Sequence, residues 1–541
     1  MTSGSTFRKH AVTVLGGTAA AVLVLTGCAG GGGEPTSDAI TIGTTDKVTF
    51  LDPAGSYDNG SFAIMNNVYP FIMNSQPGTA DVEPDIAVSA EFTAPTEFTV
   101  VLKEGLKFAN GNDLTSSDVK FSFDRQLAIA DENGPSTLLY NLEETEAVDD
   151  TTVVFHLKAG NDQIWPQILS SPAGPIVDED VFTADAITDD DTIIDGEAFA
   201  GQYVISSYAF NDLVQFKAYA DYQGVLGAPK TDTINLRYYA DSSNLKLEVQ
   251  EGNIDVATRS LSATDIEDLS GDENVTVNYG PGGEIRYIVF NFDTMPFGAT
   301  TPEADADKAL AVRQAMADLI DREEIATQVY KGTFLPLYSY VPAGLTGATE
   351  SLKGLYGDGD GGPDATAAAE RLTSAGITEP VVLNLQYNPD HYGPSSGDEY
   401  ALVKSQLERD GLFTVNLQST EWVTYAEERS ADVYPMYQLG WFPDYSDADN
   451  YMSPFFQTEN FLANHFSNAE LDELIPAQAV ETDPETRLGL LEDIQDKVAA
   501  QLSTLPFLQG AQVAVSGKDV AGVASTLDAS FKFRFGVISK G

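Results

Sequence analysis

The sequence predicts an α/β protein of two lobes, and three features carry that prediction. Up to about residue 282 the chain runs in short strand-like segments separated by turn residues. From Gly283 onward strands alternate with long helical patterns, as they do in a parallel α/β domain. After about residue 513 the chain returns to strand-like sequence. A chain of 541 residues is long enough for more than one core. The expected division is a first lobe over 39–282, with a β-rich subdomain at about 71–195, a second lobe over 283–513, and a return to the first lobe over 514–541. Such a return makes the chain cross between lobes twice. Two crossings form a hinge, and a hinge encloses a cleft.

The first lobe opens with "AITIGTTDKVTFLDPA" (Ala39 to Ala54), an alternating run closed by a proline turn. "EFTVVLK" from Glu97 and "LKFA" from Leu106 read as strands, followed by the turn chemistry of "NGND". "TSSD" (Thr115 to Asp118) is a capping box at the start of a helix. A second β-rich block runs from "TTVVFHLK" (Thr151) through "YVISSYAFNDLVQFKAY" (Tyr203) to "INLRYY" (Ile234). The acid run "DDDT" at Asp189 reads as a solvated loop.

In the second lobe "EIRYIVFNF" (Glu284 to Phe292) is a strand buried on both faces, and Asp305 to Tyr330 is one long helical pattern. "VVLNLQYN", a helix over "DEYALVKSQLERDG" stopped by Gly411, and "FTVNLQS" form a strand–helix–strand unit. The last helix has Asp483 as cap and Pro484 at its first position, with Leu488, Leu491, Ile494, Val498 and Leu502 along one face. "AQVAVSG" and "FKFRFGV" read as the closing β segments.

The charge balance is strongly acidic, with 29 Lys and Arg against 82 Asp and Glu, a formal −53, and a pI near 4.1. Phosphate binding needs a basic surface, so nucleic acid is excluded as a partner, and so is docking on anionic lipid headgroups by charge.

At the N-terminus, "FRKH" (Phe7 to His10) precedes the apolar run Ala11 to Leu25, which is too short for a comfortable membrane span. It ends in "LTGC", where small residues stand before Cys28, the only cysteine in the chain. This resembles a bacterial lipobox, which implies a signal peptide over 1–27 and lipidation of Cys28. "AGGGGEPTSD" (Ala29 to Asp38) then reads as a flexible tether completing residues 28–38. The protein is expected outside the cytoplasm, held at the bacterial cell membrane by lipid alone.

Signals for metal or nucleophilic chemistry are weak. The four histidines, His10, His156, His391 and His465, are scattered, and HExxH does not occur. "GDGDGGPD" (Gly357 to Asp364) lacks the ligand spacing of a calcium loop and reads as a surface turn. No cofactor is expected. "WFPDYSDADNY" (Trp441 to Tyr451) does draw attention, because it sets three acids among four aromatics. Acids among large aromatics are costly to bury unless something cationic meets them.

Five stretches together resemble the solute-binding family of peptide ABC importers, the dipeptide and oligopeptide binders. They are "TIGTTDKVTFLDPAG", "VEPDIAVSAEFTAPTEFTVVLKEGLKFANGNDLTSSDVKFSFDR", "GQYVISSYAFNDLVQFKAYADY", "VRQAMADLIDREEIATQVYKGTFLPLYSYVP" and "LGWFPDYSDADNY", in the family's order. The resemblance implies a periplasmic-binding-protein-like fold, a short peptide as ligand, an ABC permease as partner, no enzymatic activity and a monomer. It implies that a Trp-x-x-Asp stretch, here Trp441 and Asp444, lies in the cleft, with the aspartate on the peptide's ammonium. Backbone at Gly440 and Phe442 would run beside the peptide, with Tyr57, Asp58 and Asn59 facing it from the first lobe. Some relatives carry an arginine where Gln438 stands here, so the grip on a peptide carboxylate is open between His391 and Arg286. A sugar or metal-chelate receptor and, from another class, an exported hydrolase remain the alternatives.

Overall fold

Short alternating strands need a partner layer, and in the first lobe they find it in parallel as well as antiparallel pairs. Strand Ile40–Thr44 lies parallel to Thr233–Tyr238 on one side and to Val256–Thr258 on the other. The hairpin Tyr203–Ala209 and Leu213–Ala218 extends this sheet at its edge. The computed structural model describes residues 39–541 apart from Glu132, Ser260, Asp390, Pro394 and the side chain of Val423. Cys28, the signal-like segment before it and the tether after it lie outside the described residues.

A separate four-stranded antiparallel sheet carries the β-rich subdomain, in the order Ala87–Ala94, Glu97–Leu102, Thr152–Leu157, Leu142–Asp149. Period-two alternation sends Phe98, Val100 and Leu102 inward against Val153, Phe155 and Leu157. The helix Ser116–Ile129 covers that face. Thr115 caps it, and the Asp118 carboxylate reaches back to the Thr115 amide, as the capping box predicts. "LKFA" forms no strand; only an isolated bridge joins Lys107 to Asp113. "DDDT" is not a loop but the start of a short helix, Asp190–Asp195, because Asp189 accepts from the Thr192 amide and caps it.

In the second lobe Val381–Tyr387 pairs in parallel with Phe413–Ser419, joined by the helix Ser396–Glu408, and with Met436–Trp441 on its other side. Gly411 has φ +71°, a left-handed turn that ends the helical segment at no side-chain cost. The pattern from Asp305 to Tyr330 divides into two helices, Ala306–Leu319 and Arg322–Gln328. Asp321 interrupts it by accepting from the Glu324 amide, which starts a new helix instead of continuing the old one. In the helix Pro484–Gln501 the face from Leu491 to Val498 is buried, whereas Leu488 is 37% exposed one turn too early to reach the core.

Two long strands, Val275–Phe290 and Thr504–Gly517, pair antiparallel and tie the lobes into one eleven-stranded sheet. Their outer ends, with Val275 and Val515, pack in the first lobe, and Ile285 to Phe290 and Leu505 to Leu508 pack in the second. Between Pro281 and Ile285 the register slips. "AQVAVSG" belongs to the second of these strands, but "FKFRFGV" is no strand. It runs irregularly into a single 3₁₀ turn, Phe535–Val537. Among the described residues no helix is long and apolar enough to cross a membrane.

Candidate functional site

Four segments converge on a cavity of about 370 Å³ between the lobes. From the first lobe come Tyr57, Asp58, Asn59 and Phe62, at the start of the helix Asn59–Val68. From the β-rich subdomain come Gln167, Ser170, Ser171 and Pro172. The second lobe supplies Phe442 to Ser446, and the returning chain supplies Ser530, Phe531 and Lys532. The first three lie at the ends of regular elements, where backbone can leave the sheet or helix and present side chains to a cleft, and the fourth is irregular chain.

The three acids of the Trp441–Tyr451 stretch have different fates. Asp447 pairs with Arg487 at 2.7 and 3.0 Å. Asp449 is buried and accepts from Tyr445 at 2.9 Å, from Ser453 at 2.5 Å and from the Gln478 amide. Burial, with Asp447 alongside, pushes its carboxyl up to about 6 against those hydrogen bonds. Asp444 differs from both. Its Oδ2 accepts from Asn450 Nδ2 at 3.1 Å and its Oδ1 from the Tyr57 hydroxyl at 2.5 Å, and it lines the cavity. Among the described residues no Lys, Arg or His forms an ion pair with it. The Tyr57 hydroxyl is held protonated, since burial and then the Asp444 charge raise its ionisation far above the usual tyrosine range.

Trp441 stands behind the cavity wall. Its Nε1 donates to Asn450 Oδ1 at 2.8 Å, and its ring meets Phe455 edge-on with centroids 5.0 Å apart. Asn450 Oδ1 also accepts from the Asp444 amide at 2.9 Å, so Trp441 and Asp444 are fixed through one asparagine. Gly440 pairs with Arg286 in the sheet, where a Cβ would meet the Ile285 carbonyl at 3.0 Å. Phe442 reaches the cavity and packs on Phe531 at 5.6 Å. Asp58 lines the cavity but also caps the helix, accepting from the Ser61 amide at 2.8 Å and from Thr49 at 2.5 Å.

Arg286 and His391 are not brought to this cavity. Arg286 is buried, pairs with Glu284 at 2.5 Å and lies 4.6 Å from the Tyr392 ring, so its charge is matched internally. The His391 ring is stacked at 3.7 Å on Trp422. Gln438 is fully buried, where its Oε1 accepts from the Asn388 amide at 2.9 Å. The residues that sequence reasoning missed include Phe62, Gln167, Ser170 to Pro172, and Ser530 to Lys532. A lysine alternating with phenylalanines in "FKFRF" was their one available signal. Among the described residues no group of three or more His, Cys, Asp or Glu is placed to hold a metal ion.

The model of bacterial extracellular solute-binding proteins, family 5, matches residues 81–462. The glutathione-binding protein GsiB of Escherichia coli (strain K12) is 24% identical over 512 residues, covering 91% of this chain and 93% of that protein. Among solved structures, HbpA2 from Haemophilus parasuis superposes with a TM-score of 0.78 at 19% identity, covering 93% of this chain and all of that one. A dipeptide binding protein from Pseudoalteromonas sp. SM9913 in complex with Met-Leu superposes with 0.67 at 20% identity, covering 93% of this chain and 100% of that one. These likenesses show a two-lobed periplasmic-binding-protein fold.

Proposed function

The chain belongs to the bacterial extracellular solute-binding proteins of family 5, and on that premise we propose that it captures short peptides by their free ammonium group and delivers them to an ABC permease. One observation carries the reading. Of three neighbouring acids, Asp444 alone faces the cavity without a cation or a full set of donors. A carboxylate has about four acceptor positions, and two of those on Asp444 are taken, so an ammonium can add to the set without displacing Tyr57 or Asn450. The glutathione bound by GsiB and the Met-Leu bound by the Pseudoalteromonas protein both carry such a group.

Capture proceeds by closure of the lobes about the two long strands, which buries the ion pair away from water. The protein acts as a monomeric, non-enzymatic receptor held at the membrane through lipid on Cys28. A Cys28→Ala chain that is still processed and still retained in the membrane fraction would remove the anchor from this account.

Calorimetric titration of Met-Leu, Ala-Ala and Ala-Phe tests the ligand assignment. Asp444→Asn is expected to weaken the free-amine peptide about a hundredfold or more, since removing one partner of an enclosed pair leaves the other unpaired at about 3–5 kcal/mol. N-acetylation of the peptide should cost the wild type a similar amount and the variant little more, because both changes delete the same pair. Additive losses would mean the two groups do not meet.

A further inference from the structure

The cavity that Asp444 lines is lined also by a lysine, Lys532, from the returning segment. Lys532 is 5% exposed, and its ammonium donates to the hydroxyl of Ser170, which is itself buried. Both residues line the cavity. Among the described residues Lys532 forms no ion pair; its other neighbour is the Phe71 ring at 5.9 Å, a weak partner for a charge. The charges that act on it are Arg534, of like sign, and Asp528 and Asp85. Arg534 is turned away, with its Nη2 donating to Asn74 and Ser75 at 2.8 to 3.0 Å. Burial first, and Arg534 second, push the lysine well below its usual range. A buried, unmatched ammonium is costly, and an anion bound in the cavity that Lys532 lines would match it.

We propose that Lys532, oriented by Ser170, binds a carboxylate of the same ligand whose ammonium meets Asp444, so that the cavity selects small zwitterionic peptides with both termini free. This rests on the peptide reading above and extends it to the end of the ligand that neither His391 nor Arg286 serves in this cavity. A volume of about 370 Å³ lies at the small end for ligand pockets, which fits a dipeptide-sized occupant. The acid comes from the second lobe and the lysine from the segment returning to the first. A ligand held at both ends therefore draws the lobes together, whereas one lacking either charge engages a single wall.

The test titrates Met-Leu, Ala-Ala and Ala-Phe, each as free acid and as C-terminal amide, into wild type, Lys532→Met and Lys532→Arg. Amidation should weaken binding to the wild type about a hundredfold. Lys532→Met should weaken the free acid to a similar degree and then show little further loss on amidation, while keeping the full penalty for N-acetylation. Lys532→Arg should keep a preference for the free acid. If Lys532→Met does not fold, the wild type still decides the matter by proton counting. Heats in two buffers of different ionisation enthalpy, taken in steps from about pH 6 to about pH 10, should show more proton uptake for the acid than for the amide within that range, because a carboxylate restores the proton to Lys532. Equal uptake, or amidation and Lys532→Met losses that simply add, would overturn the assignment and leave the role of Asp444 standing. Failure of the wild type to bind any of the three peptides would overturn the peptide reading, and this inference with it.

Discussion

The hydroxyl of Tyr57 donates to the carboxylate of Asp444 at 2.5 Å across 387 positions of sequence, joining the two lobes at the mouth of the cavity. The bond aims one Asp444 oxygen, as Asn450 aims the other. A hydrogen bond to a charged group contributes about 1.5–3 kcal/mol. Tyr57→Phe is therefore expected to weaken a free-amine dipeptide about tenfold while leaving its N-acetylated form unaffected, as read by calorimetry. An equal loss for both forms would mean that Tyr57 shapes the cavity and does not position Asp444.

The loop that carries Tyr57 is itself fastened by an enclosed ion pair. Arg125 meets Asp52 through two hydrogen bonds of 2.8 and 2.5 Å, with 2% and 0% of the side chains exposed. Asp52 also accepts from the Ala54 and Thr188 amides, and Arg125 donates to the Thr183 and Ala186 carbonyls. Breaking such a pair from one side leaves a buried charge unmatched. Asp52→Asn or Arg125→Met should each cost about 3–5 kcal/mol in urea unfolding, and the double variant should lose less than the sum of the two. Strict additivity would contradict this account.

A buried carboxyl makes the second lobe sensitive to pH. Glu399 is fully buried, takes a hydrogen bond from the Tyr330 hydroxyl, and has its carboxyl pushed up to about 7 by burial, with Arg286 pulling the other way. The fold thus favours the protonated form. Its stabilising effect is full below the ordinary glutamate value near 4.3 and is lost as pH rises through about 7. Glu399→Gln, which stays neutral, should match the wild type in Tm near pH 4. By pH 8 it should gain on the wild type by about 3 kcal/mol at most. A constant Tm difference across that range would show that Glu399 does not titrate there.

Most of the framework was legible because its signals are local. The strand–helix–strand unit from Val381 to Ser419, the capping box at Thr115 and the Asp483–Pro484 helix start depend on neighbours a few residues apart. Where a local signal was overridden, another local group did it: Asp321 divides a continuous helical pattern, and Asp189 turns an acid run into a helix. The cavity was less legible. Asp444, Asp447 and Asp449 look alike in sequence, and only the positions of Arg487, Gln478 and Tyr57, up to 387 residues away, separate them. Lys532 was hidden by an alternation that reads as a strand and folds as an irregular return segment.

The two long strands approach closely where the register slips. A Cβ on Gly282 would lie 2.4 Å from the Gly510 carbonyl oxygen, a backbone atom that cannot swing aside. At the same place the buried Gln509 side chain donates to the Gly282 carbonyl at 2.7 Å and to the Ala343 carbonyl at 2.9 Å. Gly282→Ala must therefore push the crossing strands apart and strain the Gln509 clamp, at about 1–3 kcal/mol by analogy with overpacked cores. If these strands are the hinge, the damage should extend beyond stability. Small-angle scattering of the wild type should give a smaller radius of gyration with saturating dipeptide than without, and Gly282→Ala should show a reduced change. A variant that is destabilised yet closes to the same extent would place the hinge elsewhere, and equal radii for free and loaded wild type would remove closure from the mechanism.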